Sequence, residues 1–328
     1  MFILIVRNNS NPQATDASLL LGAYLGSQGI GYALVDSREL GNDALRAAVR
    51  ERLPQAADLA VVLGGDGTIL QTAHLLAGAE VPVLGINFGR LGFLANGSDG
   101  GVVPLVAAAL AGEATAERRA ALRVDVACDG EPDPFGEGEL PDEPLAAACD
   151  EACRAEAARA SEADPHGGFG VSRLGLCGAR TFYALNELAV TRGAMGRIIE
   201  FSLGISGSTV AQMRGDGVVV ASATGSTAYA LSAGGPLVAP GFQGLVAVPL
   251  APHTLHTRAI VTGESDVVEV TLDDKDAFRE ATLFADGELL LFERPVRRVY
   301  VRRSAHPVTL LRVGGDAFYD RASSVFFR

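Results

Sequence analysis

The run Leu59-Ala60-Val61-Val62-Leu63-Gly64-Gly65-Asp66-Gly67-Thr68-Ile69-Leu70 constrains the fold more than any other stretch of the chain. An apolar segment short enough for a buried strand runs straight into three glycines interrupted by one carboxylate, and a helix-compatible segment follows. Glycine lets backbone N–H groups turn toward a phosphate with no Cβ in the way, and the next helix offers the positive end of its dipole. Asp66 is the exception, because a carboxylate repels phosphate unless it binds a cation or takes a proton. The same residues also suit an ordinary glycine-rich turn whose Asp caps the helix.

The flanking sequence repeats the strand-then-helix pattern. Apolar stretches at 2–6, 31–35, 59–63 and 81–86 alternate with helix-prone stretches at 16–27, 43–52, 69–77 and 101–110. Such alternation predicts a Rossmann-like α/β domain over residues 1–120, with a parallel sheet and the Gly64–Thr68 loop at the carboxyl end of a strand, where open α/β sheets bind ligands. From Arg123 onward the pattern changes to short β-rich stretches punctuated by turns such as Gly215-Asp216-Gly217 and Ala285-Asp286-Gly287. These predict a β-rich sandwich domain over 121–300, with residues 301–328 returning to the first domain.

The charge is unevenly spread. The chain carries a formal charge of −12, and residues 129–164 hold twelve acids against Arg154 and Arg159, which leaves the remainder near neutrality. This acidic insertion, at about 129–170, argues against general nucleic-acid binding. Its first half is rich in Pro, Gly and acids, and its alanine-rich part, 144–163, suits a solvated helix. No apolar run matches a bilayer span, and Met1–Val6 lacks the basic leader of a signal peptide, so a cytoplasmic protein with reduced thiols at Cys128, Cys149, Cys153 and Cys177 is expected, with no membrane partner.

Two further blocks carry polar chemistry. Asn186-Glu187 interrupts an apolar run; inside a strand the two side chains point to opposite faces, so one faces inward or lines a cleft, whereas at a strand end both are solvated. Thr224-Gly225-Ser226-Thr227-Ala228-Tyr229-Ala230-Leu231-Ser232 follows a strand and opens an expected helix ending at Gly234-Gly235. Hydroxyls and small residues there suit a phosphate- or sugar-bearing ligand, and an N-cap cluster is the plainer alternative.

Taken together, Gly64-Gly65-Asp66-Gly67-Thr68, Asn87 to Leu94, Asn186-Glu187, Asp216-Gly217 and Thr224 to Tyr229 resemble the NAD kinases in order and spacing, over nearly the whole chain except 129–180. The resemblance implies phosphoryl transfer from ATP, or from polyphosphate, to the 2′-hydroxyl of the NAD adenosine ribose, giving NADP. Asp66 then matches the catalytic carboxylate, while Gly64, Gly65, Gly67 and Thr68 belong to the phosphate-handling loop. Phe93 packs by the adenosine; Asn186, Glu187, Asp216, Thr227, Ala228, Tyr229 and Ser232 contact the dinucleotide; and Asp286 is a further carboxylate whose plainer role is a hairpin turn. It also implies a divalent cation, Mg²⁺, with no ligand set assigned, and a homo-oligomer in which a neighbouring subunit contributes residues near the site. The NAD cleft is expected between the two domains.

No Walker lysine follows the glycine loop, so a metal ion and arginines such as Arg90 or Arg214 are expected to neutralise phosphate. The acidic insertion departs from the family pattern: Cys149 and Cys153 with Cys128, Cys177 and His166 have long and irregular spacings for zinc, and a flexible loop or added helix suits the segment better. His253 and His256 are candidates for lining the pocket. The glycine loop alone is also shared with lipid kinases, and a non-catalytic NADP-binding sensor is a reading of a different class.

Overall fold

The structure is a computed structural model describing residues 1–89, 91–131, 133, 171–172, 180–194, 196–254, 256–272, 281–314 and 318–327. The alanine-rich helix expected at 144–163, Arg90, His166 and the cysteines other than Cys128 lie outside the described residues. The chain divides into two compact units, Met1–Arg119 with His306–Arg328, and Ala120–Ala305.

The first unit opens with β1 (Phe2–Arg7), α1 (Pro12–Ser27), β2 (Gly31–Asp36), α2 (Asp43–Arg52), β3 (Leu59–Leu63), α3 (Asp66–Leu75), β4 (Val83–Asn87), β5 (Asn96–Gly97), α4 (Val102–Leu110) and β6 (Thr115–Arg119). Pro12 occupies the first turn of α1, where its missing N–H costs no helical bond, and Asn11 caps the helix by accepting from the Gln13 amide. β3 is buried at every residue, as its unbroken apolar run requires. Ile3, Ile5, Val61, Leu63, Leu84 and Ile86 join Leu21 and Leu25 of α1 and Val106 of α4 in one core. On β4, a Cβ at Gly85 would overlap the Ile69 side chain, so this glycine lets α3 seat against the sheet.

The second unit comprises β7 (Leu122–Cys128), β8 (Val171–Ser172), β9 (Thr181–Ala184), β10 (Glu187–Arg192), β11 (Ile199–Ile205), β12 (Ser208–Gly215), β13 (Gly217–Ala221), α5 (Tyr229–Ser232), β14 (Val246–Leu250), β15 (Ile260–Val261), β16 (Val268–Leu272), β17 (Ala281–Ala285), β18 (Glu288–Leu290) and β19 (Val296–Arg303). Among the described residues these form two sheets, in the orders β15-β14-β13-β10-β17-β18-β8 and β12-β11-β16-β19-β7-β9. Leu188, Val190, Val218, Val220 and Leu283 of the first sheet share a core with Val124, Phe201, Leu203, Val270 and Val299 of the second. The outer face of the first sheet is also covered: Ala189, Val219, Ala221, Val246 and Val248 pack with Ala230 of α5. Burial on both faces explains the continuous apolar sequence of β13.

The chain then adds β20 (Val308–Arg312) and α6 (Phe318–Phe326) to the first unit. There, among the described residues, the sheet runs β2-β1-β3-β4-β20-β6, with β5 on β4; β1, β2, β3 and β4 pair in parallel, while β20 and β6 are antiparallel. The fold is thus a parallel-rich α/β unit followed by an antiparallel β sandwich, as the sequence pattern predicts. The junctions fall at Arg119/Ala120 and Ala305/His306.

Candidate functional site

In the first unit the site is built at the carboxyl end of β3. Gly64 closes the strand by donating its amide to the Ile86 carbonyl, and a Cβ on it would press on the Thr68 hydroxyl. Gly65 is the N-cap of α3, which begins at Asp66 and not at Ile69 as the sequence pattern suggests. The Thr68 amide donates to the Gly65 carbonyl at 3.0 Å, while the Asp66 and Gly67 amides precede the first intrahelical bond and lie at the positive end of the helix dipole. Gly67 adds no side chain there, and Thr68 is buried.

The Asp66 carboxylate does not cap its own helix. Its Oδ2 accepts from the Phe93 amide at 2.8 Å and its Oδ1 from the Leu94 amide at 3.2 Å. A Cβ at Gly92 would overlap the carboxylate, so glycine is required there for the loop to approach so closely. Phe93 is half-buried, stacked on Phe326 at 5.4 Å and tilted against Phe318 at 5.9 Å. Several residues here carry no local sequence signal. Arg312 donates to the Phe93, Leu94 and Ala95 carbonyls and pairs with Glu117, and Arg321 donates to the Gly92 and Ala95 carbonyls. Burial holds the Arg119 guanidinium below the usual arginine range, opposed by its partner Glu117 and by the charge of Asp66.

In the second unit Asn186 and Glu187 meet the turn after β13. The stretch expected as one strand over 181–191 is broken at Leu185-Asn186, and Glu187 is the first residue of β10. Glu187 is only 8% exposed, which excludes the solvated strand-end reading for it. The break is held from three sides. Asp286 accepts the Leu185 amide at 2.7 Å and the Asn186 and Glu187 amides at 2.7 and 3.1 Å. The Ser222 hydroxyl donates to the Leu185 carbonyl and accepts from the Thr224 and Gly225 amides. A Cβ at Gly225 would overlap the Asn186 carbonyl, so the Thr-Gly-Ser turn needs its glycine to lie on Asn186.

The expected helix beyond Thr224 is shorter than its sequence suggests. A 3₁₀ turn spans Gly225–Thr227, Ala228 breaks it, and α5 covers four residues. Thr227 donates to the Thr224 carbonyl, and Ser226 is buried and donates to the Ala223 carbonyl. Tyr229 and Ser232 are exposed, while Asn186, Thr227 and Ala228 are partly so. Two buried oxygens in this cluster, Glu187 Oε2 and Thr224 Oγ1, have no partner among the described residues. Leaving such atoms unpaired is costly, and a polar ligand with hydroxyl or amine donors removes the cost.

Burial, reinforced by the neighbouring Asp286 carboxylate and opposed by the Tyr229 amide, pushes the Glu187 carboxyl up to about 8. Between about pH 4.5 and 8 the unfolded chain has lost this proton and the folded chain keeps it, so stability falls as pH rises through that window. Glu187→Gln removes the effect. Thermal melts are expected to show the variant gaining on the wild type from pH 5 to pH 8.5; a difference independent of pH would contradict the assignment.

Asp216 is not brought to this cluster within the second unit. The pairing of β10 with β13 places Glu187 opposite Ala221 and Thr191 opposite Gly217. Asp216 therefore lies at the other end of the strand pair, about 17 Å along at ~3.4 Å per residue, and pairs with Arg192 at 3.0 Å. His253 and His256 are exposed, and the His253 amide donates to the Arg214 carbonyl near the same end. Arg214 pairs with Glu200 at 2.7 Å, so its charge is already matched. Asp286 stands at the tip of the β17–β18 hairpin; it and Gly287 both have positive φ, 49° and 80°, as a two-residue hairpin turn demands.

The chain matches two family models, the ATP-NAD kinase N-terminal domain over residues 4–112 and the ATP-NAD kinase C-terminal domain over residues 185–313. Its relatives include a protein named NAD kinase from Nitrosospira multiformis, 34% identical over 97% of this chain and 92% of that protein. Another, from Geobacter sulfurreducens and also named NAD kinase, is 30% identical over 97% and 95%. Among solved structures, yeast NADH kinase complexed with NADH superposes with a TM-score of 0.72 at 17% identity, covering 100% of this chain and 87% of that one. An NAD kinase from Archaeoglobus fulgidus in complex with ATP gives 0.64 at 22% identity, covering 100% and 98%. At these identities the two structures speak to the fold.

Proposed function

The chain belongs to the NAD kinase family and is an enzyme that phosphorylates NAD, and from that premise we propose that Asp66 is the general base for the adenosine 2′-hydroxyl, with ATP as donor. The observation that carries this reading is a carboxylate fixed at the head of α3 by two backbone amides, beside glycines that leave the Asp66 and Gly67 amides open to phosphate. Asp66 takes the hydroxyl proton as the ribose oxygen bonds to the γ-phosphorus, and the bond from that phosphorus to the bridging oxygen of ADP breaks. The Gly65–Gly67 amides offset negative charge on the transferred group.

On this reading Asn186, Glu187, Thr227, Ala228, Tyr229 and Ser232 hold the dinucleotide. The unpaired Glu187 and Thr224 oxygens supply acceptors for ribose hydroxyls or an exocyclic amine. Phe93 offers its ring to the adenosine. A divalent cation, Mg²⁺, would supply charge neutralisation when bound; among the described residues no group of three or more His, Cys, Asp and Glu side chains is placed to hold a metal. The distance of Asp216 from Glu187 within the unit supports a homo-oligomer in which Asp216 serves a neighbouring subunit. A cytoplasmic location belongs to the same proposal; separately, among the described residues no helix is long and apolar enough to cross a membrane. The lipid-kinase and non-catalytic sensor readings that the glycine loop alone allows fall with the family assignment.

The test is an initial-rate matrix of ATP or polyphosphate against NAD, NADH and diacylglycerol, with Mg²⁺ varied. Turnover is expected with ATP, Mg²⁺ and NAD and none with the lipid. Absence of turnover on either dinucleotide with every donor would overturn the reading.

A further inference from the structure

The two amides that hold Asp66 belong to adjacent peptide groups, and both peptides are gripped at their carbonyl ends by arginines from the end of the chain. The Gly92–Phe93 peptide donates its N–H to Asp66 Oδ2 at 2.8 Å, and its carbonyl accepts from Arg321 Nη1 at 3.1 Å. The Phe93–Leu94 peptide donates its N–H to Asp66 Oδ1 at 3.2 Å, and its carbonyl accepts from Arg312 Nη2. Arg312 further bonds the next two carbonyls through Nη1, at 2.9 and 2.8 Å, and Glu117 fixes its Nε at 3.2 Å. Arg321 is 9% exposed and the Arg312 side chain 11%, so water screens neither strongly.

We propose that Arg312 and Arg321 are positioning residues for Asp66, acting through the Gly92–Phe93 and Phe93–Leu94 peptide groups. A cation at a peptide carbonyl draws electron density toward the oxygen and makes the N–H at the other end a stronger donor. Hydrogen bonds in such chains strengthen one another by roughly 10–30% each. The arrangement gives the carboxylate two strengthened donors in fixed directions without placing a positive side chain where phosphate charge must be read. It also gives the C-terminal segment a reason to join the first unit, since β20 and α6 each deliver one guanidinium to the same loop. Phe318 and Phe326 of α6, packed on Phe93, hold the middle residue of that loop from its side chain.

The inference rests on Asp66 being the base, and its test separates the two. In Arg312→Gln, kcat is expected to fall about 10- to 100-fold, the order of loss that a displaced catalytic group causes. KM for NAD should change by less than about three-fold, because the Phe93 ring assigned to the adenosine keeps its packing on Phe318 and Phe326 while the interaction lost is felt chiefly in the chemical step. Arg312→Lys keeps the charge and should recover part of kcat. With amide nitrogens of Phe and Leu isotopically labelled, the Leu94 amide proton should move upfield in Arg312→Gln, and the Phe93 amide proton should do so in Arg321→Gln. If kcat falls only in step with a rising KM and lysine restores nothing, or if neither resonance moves, the relay is wrong. Should Arg312→Gln fail to fold, Arg321→Gln and Arg312→Lys carry the same readouts. An Asp66→Asn control that retains wild-type turnover defeats the base and the relay together; an inactive control beside a fully active Arg312→Gln defeats the relay alone.

Discussion

Asp66→Asn is expected to lower the rate of NADP formation by about 10²- to 10⁴-fold, the range a positioned general base contributes. A ribose hydroxyl is a poor nucleophile until its proton has somewhere to go, and a carboxamide cannot accept that proton. Asn is close to Asp in shape, so its carbonyl oxygen can still accept from Phe93 or Leu94, but its NH₂ then faces the other amide donor to donor. Some loosening of the 92–95 loop is therefore expected, and a melt of the variant measures it. Apart from Phe93, the residues assigned to the dinucleotide lie in the second unit, so NAD affinity by calorimetry should change far less than the rate. Asp66→Ala should match Asp66→Asn in rate and exceed it in lost stability, because it leaves both amides without an acceptor. Wild-type turnover in either variant would remove Asp66 from the chemistry.

The second large effect is structural. Asp286→Ala removes the acceptor for three consecutive amides, those of Leu185, Asn186 and Glu187, and also puts a Cβ-bearing residue without a compensating side chain at φ 49°. Each unsatisfied buried donor costs about 1–3 kcal/mol, and partial access of water to this bend keeps the sum below the maximum, so a loss of about 3–5 kcal/mol is expected in denaturant unfolding. Asp286→Asn retains one acceptor and tolerates the left-handed backbone, so it should lose less. Asp286→Gly relaxes the backbone while still lacking the carboxylate, which separates the two contributions. Because Asn186 and Glu187 ride on the bend that Asp286 holds, KM for NAD should rise in all three variants. A variant lacking the carboxylate but with unchanged stability and KM would show that the bend is held by Ser222 and the strand pairs alone.

The sequence made the layers legible and left the joints obscure. Strands at 2–6, 31–35, 59–63 and 81–86 stand out because a strand buried on both faces must be continuously apolar, and the helices between them carry the complementary pattern. The joints depend on side chains reaching distant backbone amides: Asp66 to Phe93 and Leu94, Asp286 to Leu185 through Glu187. Such bonds need only a carboxylate and a bend, and leave no periodic trace. The same holds for Ser222, which reads as one more hydroxyl until its three bonds are seen. The break at Leu185-Asn186 has no Gly or Pro to announce it. At α3 the glycines of the loop argued for a later start, yet the helix begins at Asp66, where packing of Ile69 against β4 outweighs local propensity. Glu187 shows the limit from the other side, since its residue type suits a solvated strand end and only the sheet reveals its burial.

As an NAD kinase the chain places a new phosphate on the 2′-oxygen of the adenosine ribose of NAD. Phosphorus NMR of the product made by the wild-type protein from NAD, ATP and Mg²⁺ tests it directly. One new phosphomonoester resonance is expected, coincident with that of authentic NADP and absent when Asp66→Asn replaces the wild type. A phosphomonoester at the 3′-position, or NAD recovered unchanged, would contradict it.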